Sequence, residues 1–251
     1  MKSSKKQFKS QGHKLIGLLD VTENNSGILV LLLHGLTNSM RDCPLINEAR
    51  DSSRKLGFST FIFDYYGSGL SEGEFRDKTF SGLVQNTQDV LKYVTEELHY
   101  KKIGIWGRSL GAILGATICD DPHVKASVFI SFCMHTNISF SRFFPKDKPC
   151  SLPIKGTGVV KGEPFLLHQF YEETTWIDNL QRSHLSNASN VLVIQGMEDK
   201  TVYDTSWAKE IYEITKEPKK LIYIKGADHS YQGFESKVID EGLNWIKKHL
   251  Q

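Results

Sequence analysis

Hydrophobic residues in this chain come in short continuous runs, each closed by a glycine or a polar residue, with amphipathic stretches between them. The run ILVLLL, from Ile28 to Leu33, is apolar at every position and ends in His34-Gly35, which marks a strand buried on both faces. STFIFD, ending in Asp64, repeats the pattern, and KKIGIWG, KASVFISF, NVLVIQG and KKLIYIKG follow it. Ahead of them, Lys6 to Ser10 and Lys14 to Val21 flank a turn at Gly12 and read as a hairpin.

Between the strands the period changes to that of a helix. Phe80 to Leu98 carries Leu83, Val90, Leu91 and Val94 on one side, and Ser109 to Cys119 is small and apolar. Ser206 to Ile214 and Ser236 to Leu250 complete the predicted helices. Buried strands alternating with helices predict an α/β fold, a doubly wound and mostly parallel sheet covered on both sides.

One interval breaks this rhythm. From Met134 to Leu185 the chain carries Pro145, Pro149, Pro153 and Pro164, the hairpin-like KGTGVVKG, and Phe140, Phe143, Phe144, Phe165, Phe170, Tyr171 and Trp176. Roughly 50 residues without sheet rhythm exceed ordinary connections, and so many aromatics need something to cover. The expected organisation is a core of residues 1–133 and 186–251, with residues 134–185 inserted as a cap or lid.

Composition narrows the function classes. The chain has 251 residues and 39% of them are hydrophobic, enough for a sizeable core. A net charge of +2 gives no case for nucleic acid, and Lys2, Lys5, Lys6 and Lys9 read as a solvated edge. The basic N-terminus lacks the apolar core of a signal peptide, and the longest apolar run is too short to span a bilayer. Cys43, Cys119, Cys133 and Cys150 lie far apart with no CxxC spacing, which argues against a zinc site and for free thiols in a reducing compartment. A cytoplasmic protein without metal or organic cofactor is expected.

The chemistry centres on GRSLG, Gly107 to Gly111, a G-x-S-x-G pattern lying between a predicted strand and a predicted helix. A sharp turn there admits only small neighbours, hence Gly107 and Gly111, while Gly115 lets the helix approach the strand. Such a turn lifts the Ser109 hydroxyl to the carboxyl edge of the sheet and leaves the Leu110 amide free at the helix N-terminus. A serine needs a base and an orienting acid. Strand-ending candidates follow in the order Ser109, Asp199, His229, within VLVIQGMEDKTV and LIYIKGADHSY. Glu198 is the rival acid, Asp204 reads as the start of the following helix, and Asp228 as a loop-stabilising carboxylate. His168 and His184 fall within the insertion; His13, His99, His123, His135 and His249 show no partner pattern. At LLLHGLTNS, Gly35 permits a turn that aims the Leu36 amide inward, so Leu36 and Leu110 form the expected oxyanion hole, with His34 bracing the loop.

In order and spacing, HGLTNS, DYYGSGLSEGEF, GRSLGA, GMEDKTV and GADHSY resemble the serine α/β-hydrolase superfamily, in particular bacterial cinnamoyl/feruloyl-esterase-like hydrolases. The resemblance covers nearly the whole chain and implies Ser109, Asp199 and His229 as a triad, with the Leu36 and Leu110 amides as oxyanion donors. It also implies a cap where Met134 to Leu185 falls. The family often has His and Gln flanking its serine; Arg108 and Leu110 stand there in this chain. Leu110 makes the expected acyl pocket more apolar.

The expected function is cleavage of a small-molecule carboxylic ester with a small aromatic or short aliphatic acyl group, by a monomer or homodimer. A thioesterase or small serine peptidase shares the same groups, and a non-catalytic binding protein of the same fold is the alternative of another class. Dehalogenase and epoxide hydrolase chemistry needs a carboxylate nucleophile where this chain has serine.

Overall fold

A computed structural model describes residues 2–23, 27–143 and 171–250. Eight strands form one sheet: β1 (Lys2–Ser10), β2 (His13–Val21), β3 (Ile28–Leu33), β4 (Ser59–Asp64), β5 (Lys102–Arg108), β6 (Val124–Ile130), β7 (Val191–Gly196) and β8 (Lys219–Ile224). Their order is β1-β2-β4-β3-β5-β6-β7-β8. The hairpin β1–β2 joins the sheet antiparallel to β4, and every pairing from β4 to β8 is parallel. Lysines along β1 keep this edge strand solvated and unattractive to another strand.

Strand alternation divides the interior into two cores. Leu29, Leu31 and Leu33 of β3, with Ile103 and Ile105 of β5, face one side; Val30, Leu32 and Trp106 face the other. The first side is covered by α2 (Phe80–Lys92), α3 (Leu110–Ala116), α5 (Thr174–Leu185) and α6 (Trp207–Ile214). The second is covered by α1 (Pro44–Lys55) and α7 (Glu235–Leu250). Helix α2 continues into a π-helical turn over Tyr93–Glu97, which carries Val94 into the first core.

Helix α1 is absent from the sequence-based expectation, for a physical reason. Its buried positions are Leu45, Ile46, Ala49 and Ser53, a narrow stripe in an otherwise polar segment. Tertiary contacts compensate: Arg50 grips buried Asp20 of β2 with a two-pronged ion pair, Nε to Oδ2 at 2.5 Å and Nη2 to Oδ1 at 2.8 Å.

Within the expected cap, α4 (Thr136–Phe143) packs on α5. Ile177 and Leu185 of α5 are fully buried and belong to the first core. The rest of that expectation, residues 144–170 with the hairpin-like segment, its prolines, Phe165, Phe170 and His168, lies outside the described residues, as does Cys150. Cys43, Cys119 and Cys133 are buried free thiols. Among the described residues no helix is long and apolar enough to cross a membrane.

Candidate active site

Parallel register gathers the loops. Leu33 of β3 lies opposite Gly107 of β5, and Arg108 opposite Ile130 of β6, so His34-Gly35, Ser109 and Ser131 leave the sheet side by side. At Ser109 the backbone adopts φ 55° and ψ −122°, a combination L-residues seldom take and one that costs roughly 1–3 kcal/mol. The surroundings enforce it. The Ser109 amide donates to the Ile130 carbonyl at 2.9 Å, and its own carbonyl accepts from Ala112 and Ile113 in the first turn of α3. A Cβ on Gly107 would meet the Gly111 carbonyl, and one on Gly111 would meet the Leu33 carbonyl. Helix α3 can approach β3 and β5 this closely only with hydrogen at both places.

Gly35 begins the neighbouring loop. A Cβ there would stand 3.0 Å from Asn38 Oδ1 and 3.6 Å from Ser109 Cβ, so this backbone lies directly against the serine. Leu36, next in the chain, is half-buried, whereas Leu110 is buried. His34 is fully buried and its Nδ1 lies 2.8 Å from the Gly35 carbonyl. That partner can only accept, which puts the ring proton on Nδ1. Burial pushes the His34 pKa down to about 3, so the ring braces the loop as a neutral donor.

A buried polar cluster lies behind the loop. Asp64, at the end of β4, accepts from the Met40 amide at 2.7 Å and the Leu70 amide at 2.8 Å. Lys78 is buried too, donates to Ser68 Oγ at 2.5 Å and stands 4.3 Å from the centre of the Phe75 ring. Burial raises the Asp64 pKa and lowers that of Lys78 to about 7.

On the other side of Ser109, Asp199 and His229 come together. Asp199 Oδ2 lies 2.8 Å from His229 Nδ1 and also accepts from Ser131 Oγ at 2.6 Å. Its Oδ1 accepts from the amides of Thr201 at 2.9 Å and Val202 at 3.1 Å. Burial favours the neutral acid, but the hydrogen bond and charge of His229, joined by the Ser131 hydroxyl, outweigh it and hold Asp199 at about 2. The Asp199 carboxylate therefore places the His229 proton on Nδ1 and leaves Nε2 as the basic nitrogen.

The rival candidates have other occupations. Glu198 is exposed, whereas Asp199 is 3% exposed. Asp204 accepts from the Ser206 amide just before α6, and Asp228 accepts from the Ser230 hydroxyl and the amides of Ser230 and Tyr231. His184 pairs with Asp120 at 2.6 Å, and His135 with Glu210 at 2.9 Å. His123 pairs with Asp121, His13 packs on Tyr66, and His249 packs on Trp245. Among the described residues no group of three or more His, Cys, Asp or Glu side chains could hold a metal.

Three site residues escape the sequence pattern. Ser131 holds Asp199 from the end of β6 with φ 51°. Tyr231, fully buried at φ 58°, lies 3.0 Å from Ser131 Oγ and accepts from the Gly196 amide. Arg108 Nη2 donates to the His229 carbonyl at 2.5 Å. Ser131 had a legible signal, since it is the polar residue that directly follows the buried run ending at Ile130. Tyr231 had none beyond lying two residues after His229, and Arg108 stood out only as the departure from the family pattern beside Ser109.

Strand order, the strained serine turn and the carboxylate–histidine pair define the class: the chain has the α/β-hydrolase fold and resembles the superfamily's serine-dependent members. Residues 25–146 match the family model described as serine aminopeptidase, S33. The uncharacterised protein YfhR of Escherichia coli O157:H7 is 24% identical over 217 residues, 82% of this chain. The chain spans 64% of the length of that relative and of its counterpart in strain K12. Est1E from Butyrivibrio proteoclasticus, solved with ferulic acid bound, superposes with a TM-score of 0.79 at 19% identity, covering 97% of this chain and 98% of its own. A soluble variant of the monoglyceride lipase of Saccharomyces cerevisiae superposes with a TM-score of 0.72 at 17% identity, covering 98% of this chain and 95% of its own.

Proposed function

We propose that the protein is a serine hydrolase of carboxylic esters that works through a covalent acyl-enzyme. The carrying observation is a serine held in a strained strand-to-helix turn at the same edge of the sheet as a carboxylate–imidazole pair whose acid is buried. His229 Nε2 takes the proton of Ser109 as Oγ attacks the ester carbonyl, and the C=O π electrons move to oxygen. The amides of Leu36 and Leu110 receive that oxyanion; losing one such donor typically costs about 3 kcal/mol of transition-state stabilisation. Collapse expels the alkoxide, which leaves as the alcohol with the proton from His229. Water then adds to the acyl-enzyme by the same base catalysis, releasing the acid and restoring Ser109. Asp199 holds the His229 tautomer and stabilises the imidazolium in both steps.

The acyl group is small, aromatic or short aliphatic. Leu110 follows the serine in the chain and half-buried Leu36 follows Gly35, so the residues next to both expected oxyanion amides are apolar, and the similar protein Est1E has been solved with ferulic acid bound. The S33 peptidase description favours a second reading, amide cleavage at the same serine. Matched esters, thioesters and amides of one acyl group, with Ser109→Ala as the blank, separate these readings. Fast ester turnover, lost in Ser109→Ala together with fluorophosphonate labelling, is expected. Turnover surviving in that variant overturns the mechanism, and preference for long acyl chains overturns the acyl assignment.

A further inference from the structure

We propose that Arg108 is a positioning residue that clasps the base loop to the nucleophile and the oxyanion loop. The inference rests on the hydrolase reading above. Arg108 immediately precedes Ser109, and its guanidinium faces three different parts of the site. Nη2 donates to the main-chain carbonyl of His229 at 2.5 Å. Nη1 lies 3.7 Å from where a Cβ on Gly35 would stand, at the start of the oxyanion loop. The guanidinium charge also acts on the buried thiol of Cys43, the residue that opens α1 at the far end of that loop, against the upward push of burial. Nε is buried without a hydrogen-bond partner.

The clasp supplies what the carboxylate cannot. Asp199 fixes His229 only through ring Nδ1, and Asp228 ties down the amides of Ser230 and Tyr231 beyond it. The His229 carbonyl is gripped by Arg108, with a charged donor that makes the bond shorter and stronger than a neutral one. Nucleophile and base, 121 residues apart from Arg108 to His229 in sequence, are thereby joined main chain to main chain through one side chain. Reacting groups held this way lose activity steeply when one is displaced, about 100-fold for a shift near 1 Å.

The test compares Arg108→Ala, Arg108→Lys and Ser109→Ala in the full chain, with a short-chain ester and a fluorophosphonate. Arg108→Ala should lose about 10- to 100-fold in kcat and in labelling rate while KM stays within about threefold. Amide exchange in the loop 228–231 should quicken, and millimolar guanidinium should restore part of kcat where sodium chloride of equal ionic strength does not. Arg108→Lys, which keeps one charged donor, should fall between wild type and Arg108→Ala; it also serves if the alanine variant fails to fold. An unchanged kcat, a rise in KM alone, or a loss that guanidinium leaves untouched would overturn the clasp. Turnover persisting in Ser109→Ala would sink the hydrolase reading instead, and loop exchange would then decide the clasp by itself.

Discussion

Two buried aspartates at the carboxyl edge of the sheet respond to burial in opposite ways. Asp64 closes β4 and Asp199 follows β7; each accepts two backbone amides, Met40 and Leu70 for one, Thr201 and Val202 for the other. Asp199 nevertheless titrates at about 2, while the Asp64 pKa is raised. The difference lies in the side chains. Asp199 receives direct hydrogen bonds from Ser131 and from a His229 ring that is itself 21% exposed. The cation near Asp64 is Lys78, whose amine is as dry as the carboxylate and is bound to the Ser68 hydroxyl. Two amides do not offset the desolvation of a carboxylate; a hydrogen-bonded partner that can carry charge does. Asp199 is equipped to face an imidazolium, and Asp64 to hold a loop.

The largest expected effect breaks the pair on the Asp199 side. Asp199→Asn should lower kcat/KM by about 10⁴-fold, roughly 5 kcal/mol, because the amide no longer selects the productive His229 tautomer. Its stability at neutral pH should also fall, by about 2 kcal/mol at most, as the depressed carboxyl pKa requires. Asp64→Asn should act mainly on stability. Replacing one carboxylate oxygen by an NH2 group leaves the Met40 or Leu70 amide without its acceptor, which should cost about 1–3 kcal/mol in urea unfolding. Its kcat per folded molecule should stay within about tenfold of wild type. If the two variants trade profiles, the division of roles is wrong.

The sequence exposes the frame of this site better than its tuning. Runs such as Ile28–Leu33 and Val191–Gly196 are buried on both faces, so they announce a parallel sheet without help from any other segment. Helix α1 was hidden because what holds it, Arg50 on Asp20 and a narrow stripe on β3 and β4, comes from elsewhere in the chain. The same reason governs the site. GRSLG and the strand-end positions of Asp199 and His229 are local patterns. What separates Asp199 from Asp64 arrives from His229, 30 residues away, and from Ser131, 68 residues away. Spacing reports which residues reach the sheet edge; three-dimensional packing decides which way burial and partners move each carboxyl pKa there.

The Lys78 side of the comparison can be sharpened by pH. Its folded pKa is about 7 and that of an unfolded lysine is about 10.4, so between these values the unfolded chain binds more protons. Stability should therefore rise with pH across that window, by about 2 kcal/mol at most between pH 7 and pH 9. Lys78→Met should flatten this contribution relative to wild type in denaturant titrations. A wild-type slope that persists unchanged in the variant would show that Lys78 is not its source.

The smallest effect tests whether Ser131 sustains the charge of Asp199. Ser131→Ala removes one donor while leaving His229, Thr201 and Val202 in place, which should cost about tenfold in kcat/KM, near 1.4 kcal/mol. The carboxyl pKa should rise, because a bond to its charged form is gone. A depressed carboxyl pKa contributes stability that is present above the unfolded value and is lost as pH falls through the folded one. The variant should accordingly begin to lose this contribution at a higher pH than wild type, visible as an acid-unfolding midpoint displaced upward in tryptophan fluorescence. Tyr231→Phe supplies the contrast. Its hydroxyl meets Ser131, the Gly196 amide and the Ile194 carbonyl rather than Asp199, so its loss should lower the melting temperature with a smaller change in the acid midpoint. Equal midpoint shifts in the two variants would mean that the whole Tyr231–Ser131 chain, rather than the Ser131 hydroxyl, keeps Asp199 ionised.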